Sequence, residues 1–126
     1  MSIIDEPDAR KPAVFLGSSR EDIAAFPAEA RRKAGKDIAD VQAGRMPPDW
    51  KPMRGIGAGV SEIRILGPRS FRILFLARFH EAVYILHAFE KKSQATARRD
   101  IELGQARYQA LLRDRAARGR GLDRPG

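Results

Sequence analysis

The stretch VSEIRILGPRSFRILFLARFHEAVYILHAF, residues 60–89, holds three apolar runs: VSEIRIL (60–66), FRILFLAR (71–78) and VYILHAF (83–89). Each is rich in β-branched and aromatic residues and has the length of a strand. Only GPRS and FHEA separate them. Such links are far too short for the crossover of about a dozen residues that parallel neighbours need, so the runs form consecutive antiparallel hairpins. Strand alternation places Glu62 and Arg64 on one face, with Ile63 and Ile65 on the other. In the second run Phe71, Ile73 and Phe75 oppose Arg72, Leu74 and Leu76. Arg72 therefore lies among apolar neighbours, an odd position for a solvated charge. In the third run His87 is expected on the face of Val83, Ile85 and Phe89.

Upstream of the hairpins, residues 1–12 carry Pro7 and several acids without an apolar period, and read as a loose arm. AVFLG (13–17) is a short first strand. In the SSRED that follows, Ser18 and Glu21 have the spacing of a capping box, and Asp22 adds a second acid to the first turn. This short helix should end near Phe26, because Pro27 disfavours helical geometry before it and suits the start of a second helix. Ala30, Ala34, Ile38 and Val41 share one face of that second helix, and Gly44 stops it. Residues 44–59, GRMPPDWKPMRGIGAG, are crowded with Gly and Pro and read as a loop, pinned to the core by Trp50 and Met53 with Lys51 between them. A strand follows its GIGAG segment, and a phosphate-cradling glycine motif needs a helix there.

Downstream, Thr96 is the expected N-cap of a final helix. Ile101, Gly104, Tyr108 and Leu111 recur at helical spacing and can dock on the sheet. RDRAARGRGLDRPG (113–126) loses that period, so residues 114–126 read as a basic, disordered tail behind a domain at 13–113. The order is β-α-α-β-β-β-α. The expected class is α+β, with N-terminal helices and a C-terminal helix on a mainly antiparallel sheet.

At 126 residues the chain suits one domain with one core. It has no cysteine, which excludes disulfides and thiolate metal sites. Its longest uninterrupted aliphatic or aromatic run, ILFLA (73–77), cannot cross a bilayer, and the acidic start MSIIDEPDAR has no signal-like apolar region. A cytoplasmic protein without membrane contact is expected. The formal charge is +8, and it is polarised: residues 1–50 hold 8 Lys/Arg against 9 Asp/Glu, residues 91–126 hold 10 against 4. A basic end of this kind suits a polyanion or an acidic protein partner.

No HExxH or acidic cluster with metal-ligand spacing occurs, so no metal and no cofactor are expected. The candidate chemistry is basic. Lys51 stands in the glycine-rich loop, Arg64 and Arg72 on adjacent strands, Lys91 and Lys92 just past the last strand. Arginines on neighbouring strands can grip a phosphate with paired donors, and lysines act as point charges. A site of this composition can cut RNA without metal by holding the phosphate and neutralising the charge that develops as the 2′-hydroxyl attacks. A Lys or a His, with His87 the nearer of the two histidines, could move protons. Arg98 and Arg99 occupy the first turn of the last helix, where positive charge opposes the dipole and solvation alone is a weak reason.

Taken together, FLGSSREDIAAFP (15–27), DWKPMRGIGAGVSEIRI (49–65), FRILFLARF (71–79) and above all VYILHAFEKKSQATARRDIELGQARY (83–108) resemble the phage-derived, HigB-type branch of the RelE/ParE toxin superfamily. The resemblance runs from about Val14 to Leu112. It implies a small RelE-like domain acting as the toxin of a type II toxin–antitoxin pair. Such toxins are usually endonucleases that cut mRNA in the ribosomal A site, and the implied partner is an antitoxin with a helix-turn-helix domain. By position, Arg64 matches the strand arginine used at the scissile phosphate, Lys91 and Lys92 the basic pair, and Lys51 a lysine that grips RNA. Arg72 matches a recurrent strand arginine. The superfamily also contains gyrase inhibitors and catalytically silent members that only bind their antitoxin.

Overall fold

The computed structural model describes residues 10–123, with side chains as far as Gly119. Eight elements follow in order: β1 (Ala13–Phe15), α1 (Ser19–Ala24), α2 (Ala28–Gln42), β2 (Trp50–Pro52), β3 (Val60–Ile65), β4 (Ser70–Leu76), β5 (Val83–Lys91) and α3 (Arg98–Asp123). The last three strands form the expected meander, and the five-stranded sheet has the order β1-β5-β4-β3-β2. All neighbours are antiparallel except β1, which pairs parallel with β5. The protein is α+β, with helices on both faces of a mostly antiparallel sheet.

Alternation along the strands creates two apolar layers. One gathers Ile63, Ile65, Phe71, Ile73, Phe75, Val83 and Ile85 under Ile23 and Phe26 of the first helical segment and Ala34, Ile38 and Val41 of α2. The other gathers Val60, Leu74, Leu76, Tyr84, Leu86 and Phe89 under Tyr108 and Leu111 of α3 and Ile56 of the glycine-rich loop. Small residues set how closely α3 and that loop approach. A Cβ on Gly57 would overlap the Tyr108 ring, and one on Gly104 would come within 2.9 Å of Leu74 Cδ1. Tyr108 donates its hydroxyl to the Ala58 carbonyl at 3.0 Å, and Gln105 donates to the Gly55 carbonyl at 2.9 Å. The GIGAG segment thus serves close packing against a helix.

Several expectations are corrected. The loop of residues 44–59 contains a strand: Trp50–Pro52 pairs with Ser61–Ile63 of β3. Three residues flanked by prolines and glycines show no period, and Pro52 is tolerated because β2 is an edge. Trp50 on this edge is 39% exposed and does not pin the loop, whereas Met53 packs against the α3-side layer. Ser18 forms no capping box. Its hydroxyl bonds the Asp22 carboxylate at 2.8 Å. Helix α3 starts at Arg98, with the Ala97 carbonyl, and not that of Thr96, accepting the N–H groups of Asp100 and Ile101.

The stretch from Asp114 that was expected to leave the helix stays helical through Asp123. Arg115 explains why. Its guanidinium grips both Glu81 oxygens, at 2.6 and 3.1 Å, and lies 3.5 Å from the Phe79 ring centroid. The helix therefore stays docked on the β4–β5 turn after its apolar period has ended. Most of the expected N-terminal arm, residues 1–9, lies outside the described residues. Among the described residues, no helix is long and apolar enough to cross a membrane.

Candidate functional site

The chemistry-bearing residues sit on the face that α3 covers only in part. Cross-strand register aligns them in rows. Lys51 of β2 faces Glu62 of β3, which faces Leu74 of β4 and then His87 of β5. One row on, Arg64 faces Arg72, which faces Phe89. Ser70 faces Lys91 at the strand ends. Helix α3 covers the first row from Leu74 onward. The charged positions beyond it are left at the rim of an open concavity of about 770 Å³, whose lining includes Lys51, Glu62, Arg64, Arg72, Lys91 and Lys92. Five of the eight basic or imidazole side chains singled out from the sequence line this one cavity.

Two arginines directly opposite each other on adjacent strands repel, so their placement needs compensation. The floor supplies it. Glu62 is 4% exposed and Arg72 5% exposed, and Arg72 Nε lies 3.7 Å from Glu62 Oε1. Burial pushes the Arg72 guanidinium below the ordinary arginine value. Glu62 pulls the other way, the Arg64 charge adds to the lowering, and Asp49 opposes it. Arginine starts so high that Arg72 stays charged at neutral pH. Arg64 is half-buried, with its Nε 3.8 Å from Asp49 Oδ1. Neither pair reaches hydrogen-bonding distance, and Glu62 Oε1, Arg64 Nε and Arg72 Nε are all buried without a hydrogen bond. Two donors and one acceptor thus sit unsatisfied and shielded from solvent, in residues that line one cavity.

Strand β5 runs on to include Lys91, which was expected just past it, and Lys92 follows; the two lysines differ. Lys91 donates to the carbonyls of Ser93, at 2.8 Å, and Gln94, so its ammonium shapes the loop leading to α3. Lys92 and Lys51 form no ion pair among the described residues. Glu90, beside Lys92, is gripped from the other side by Arg69 at 2.9 and 3.0 Å. The Arg69 hydrogen bonds hold the Glu90 carboxyl below its usual range, with Lys92 a lesser contributor.

His87 is not at the cavity. It is 5% exposed, stacks on Phe89 with ring centroids 5.0 Å apart, and bonds through Nε2 to Asp100 Oδ1 at 2.8 Å. The pair ties β5 to the first turn of α3, where a carboxylate also suits the helix dipole. Nor does His87 share the face of Val83 and Ile85. Leu74 pairs with His87 but Phe75 pairs with Ile85, so Leu86 is a bulged, unpaired residue that shifts the alternation. Arg107 of α3 donates to the Leu86 carbonyl at 2.9 Å. Arg99 lines a smaller adjoining cavity of about 240 Å³ with Lys91, Lys92 and Asp100, while Arg98 lines neither.

Glu62 is the residue that sequence reasoning passed over, placing it only on the strand face of Arg64. Its signal was positional: it shares a strand face with Arg64, and the apolar residues of the next strand flank that face. Among the described residues, no three His, Asp or Glu side chains gather where they could hold a metal ion. The arrangement suits a polyanion: cations from four segments around one concavity, with a single carboxylate, Glu62, among its described lining residues.

A family model described as "Phage derived protein Gp49-like (DUF891)" matches residues 21–109. That span holds every residue of the cavity wall and the His87–Asp100 tie. No curated protein matches the chain.

Proposed function

The chain belongs to the Gp49-like phage-derived family, a family of RelE/Gp49-type toxins, and from that premise we propose that it is the toxin of a toxin–antitoxin pair and cuts mRNA on the ribosome without a metal ion. One observation carries the nuclease reading: Lys51, Arg64, Arg72 and Lys92 reach a single concavity from separate segments, with the Nε atoms of both arginines unbonded. A phosphodiester there would accept from Arg64 and Arg72 through its non-bridging oxygens. Lys51 would hold the neighbouring backbone. As the 2′-oxygen attacks phosphorus, charge grows on the phosphorane oxygens, and buried guanidinium groups stabilise it more than they stabilise the ground state. Lys92 would protonate the departing 5′-oxygen. The products are a 2′,3′-cyclic phosphate and a 5′-hydroxyl. The cognate antitoxin, a helix-turn-helix protein, would silence the toxin by covering this basic face.

The test is induction of wild type and an Arg64→Ala/Lys92→Ala variant in cells, with message ends mapped. Wild type is expected to arrest growth and accumulate cut transcripts. Loss of even one transition-state donor typically costs about 10²–10³ in rate, so the double variant should leave transcripts whole. Intact transcripts under wild-type induction would remove the nuclease reading. A second reading, a member that binds its antitoxin and cuts nothing, draws on the absence of His and Tyr from the cavity lining. Growth without cleavage, together with a tight antitoxin complex, would select it.

A further inference from the structure

Glu62 has no part in the reaction just described, yet among the described residues it is the one acid lining the cavity. A carboxylate that is 4% exposed, with an oxygen that makes no hydrogen bond, is costly unless something completes it. Its nearest cation, Arg72 Nε, stands at 3.7 Å and is itself unbonded. Had the pair evolved only to neutralise itself, closing that gap would satisfy both atoms. Instead the lining carries two guanidinium groups that donate, Arg64 and Arg72, and one carboxylate that accepts, Glu62. A ribonucleotide linkage has the complementary set: phosphate oxygens that accept and one 2′-hydroxyl that donates. A deoxyribonucleotide lacks the donor and would leave the carboxylate unpartnered.

We propose that Glu62 recognises the ribose 2′-hydroxyl at this cavity and accepts its proton as the 2′-oxygen attacks phosphorus. The inference rests on the nuclease reading above and assigns the proton acceptor that reading leaves open. In the step, the 2′-oxygen–hydrogen bond breaks and its proton passes to the Glu62 carboxylate. The new bond joins 2′-oxygen to phosphorus, and the bond from phosphorus to the 5′-oxygen breaks. Lys92 supplies the proton that the leaving oxygen needs. No external reagent is consumed, and the enzyme regains its starting form by proton exchange with water. The charged groups around Glu62 are Lys51 from β2, Arg64 from its own strand, Arg72 from β4, and Lys91 and Lys92 from the end of β5 and beyond. Asp49, just before β2, faces the Arg64 guanidinium at 3.8 Å.

The experiment is single-turnover cleavage of a message held on purified ribosomes across a pH series, for wild type, Glu62→Gln and Glu62→Asp. Affinity is measured in parallel for a short RNA made uncleavable by 2′-deoxy substitution. Glu62→Gln is expected to slow cleavage by about 10²–10⁴-fold, the usual worth of a general base, and to abolish the acid limb of the rate profile. Its affinity for the 2′-deoxy RNA should stay equal or tighten, because a charge that repels phosphate is gone. Glu62→Asp should retain the acid limb at reduced rate, and it keeps the test open if Glu62→Gln folds poorly. Cleavage by Glu62→Gln within threefold of wild type would overturn the proposal while leaving the nuclease reading standing. So would slower cleavage with weakened RNA binding and an unchanged acid limb, which is the signature of a mere counter-ion. A wild type that cuts nothing would overturn both.

Discussion

Lys91 and Lys92 are adjacent in sequence and equal in charge, yet the fold gives them different work. Both line the two cavities, but Lys91 spends its ammonium on the carbonyls of Ser93 and Gln94, while Lys92 forms no ion pair among the described residues. Lys92→Ala is therefore expected to slow single-turnover cleavage by about 10²-fold or more, on the scale of a lost transition-state contact. Lys91→Ala should cost less than tenfold, with its main effect on proteolytic nicking of the loop between β5 and α3. The reverse ranking would move the phosphate contact to Lys91. Sequence could nominate the pair because both follow the apolar run that ends at Phe89, but it could not divide them: the division depends on where two loop carbonyls point. Arg72 was more legible, since its strand alternates so regularly that an arginine between Phe71 and Ile73 had to face a second layer. Glu62 was not, because an acid on a half-apolar strand is exposed unless something beyond the strand covers it.

Among the elements, the hairpins were read correctly because period-two alternation and short links leave one topology open. The misreadings fall where local pattern yields to distant contacts. Strand β2 exists only through pairing with β3, and the bulge at Leu86 is stabilised by Arg107 from α3. The far half of α3 persists through Arg115. That last tie has a pH signature. The Arg115 hydrogen bond, partly offset by burial and aided by the Tyr84 hydroxyl at 2.7 Å, lowers the Glu81 carboxyl from 4.5 to about 2. A carboxyl depressed on folding stabilises fully above its unfolded value and loses that contribution as pH falls through the folded one. Glu81→Gln should therefore cost about 1–2 kcal/mol at neutral pH, as befits a bidentate, partly exposed pair. The difference from wild type should shrink as pH drops from 4.5 towards 2. Chemical denaturation of both proteins across that range measures it, and a gap that does not change with pH would show that the tie contributes nothing through charge.

For the molecule as a whole, the layout follows from a helix that covers one sheet face incompletely. On the α1–α2 side the two helices pack Ile23, Ala34, Ile38 and Val41 onto the apolar layer. On the other side α3 starts at Arg98, is fastened by His87 and Asp100, and lies over Leu74, Tyr84 and Leu86. The next row of that face, Arg64 and Arg72, is left at an open cavity whose remaining rim comes from β2 and the segment after β5. Five of the chain's 24 Lys and Arg residues thus line the cavity that the helix leaves uncovered. Sequence reported the charge and its drift towards the C-terminus, but the convergence with Lys51 needed the unforeseen strand β2. A site built from point charges on separate segments should bind RNA with an affinity set by counter-ion release. For single strands, each neutralised phosphate contributes about −0.7 to the slope of log affinity against log salt. Lys51→Ala removes one cation at the cavity edge and leaves the Arg64, Arg72 and Glu62 floor in place. Its slope with an uncleavable 2′-deoxy RNA should be shallower than wild type by about 0.7, with lower affinity at low salt and the two curves converging as salt rises. Anisotropy titrations at graded salt supply both slopes. Parallel lines would mean that Lys51 touches no phosphate and that the RNA path leaves the cavity by another edge.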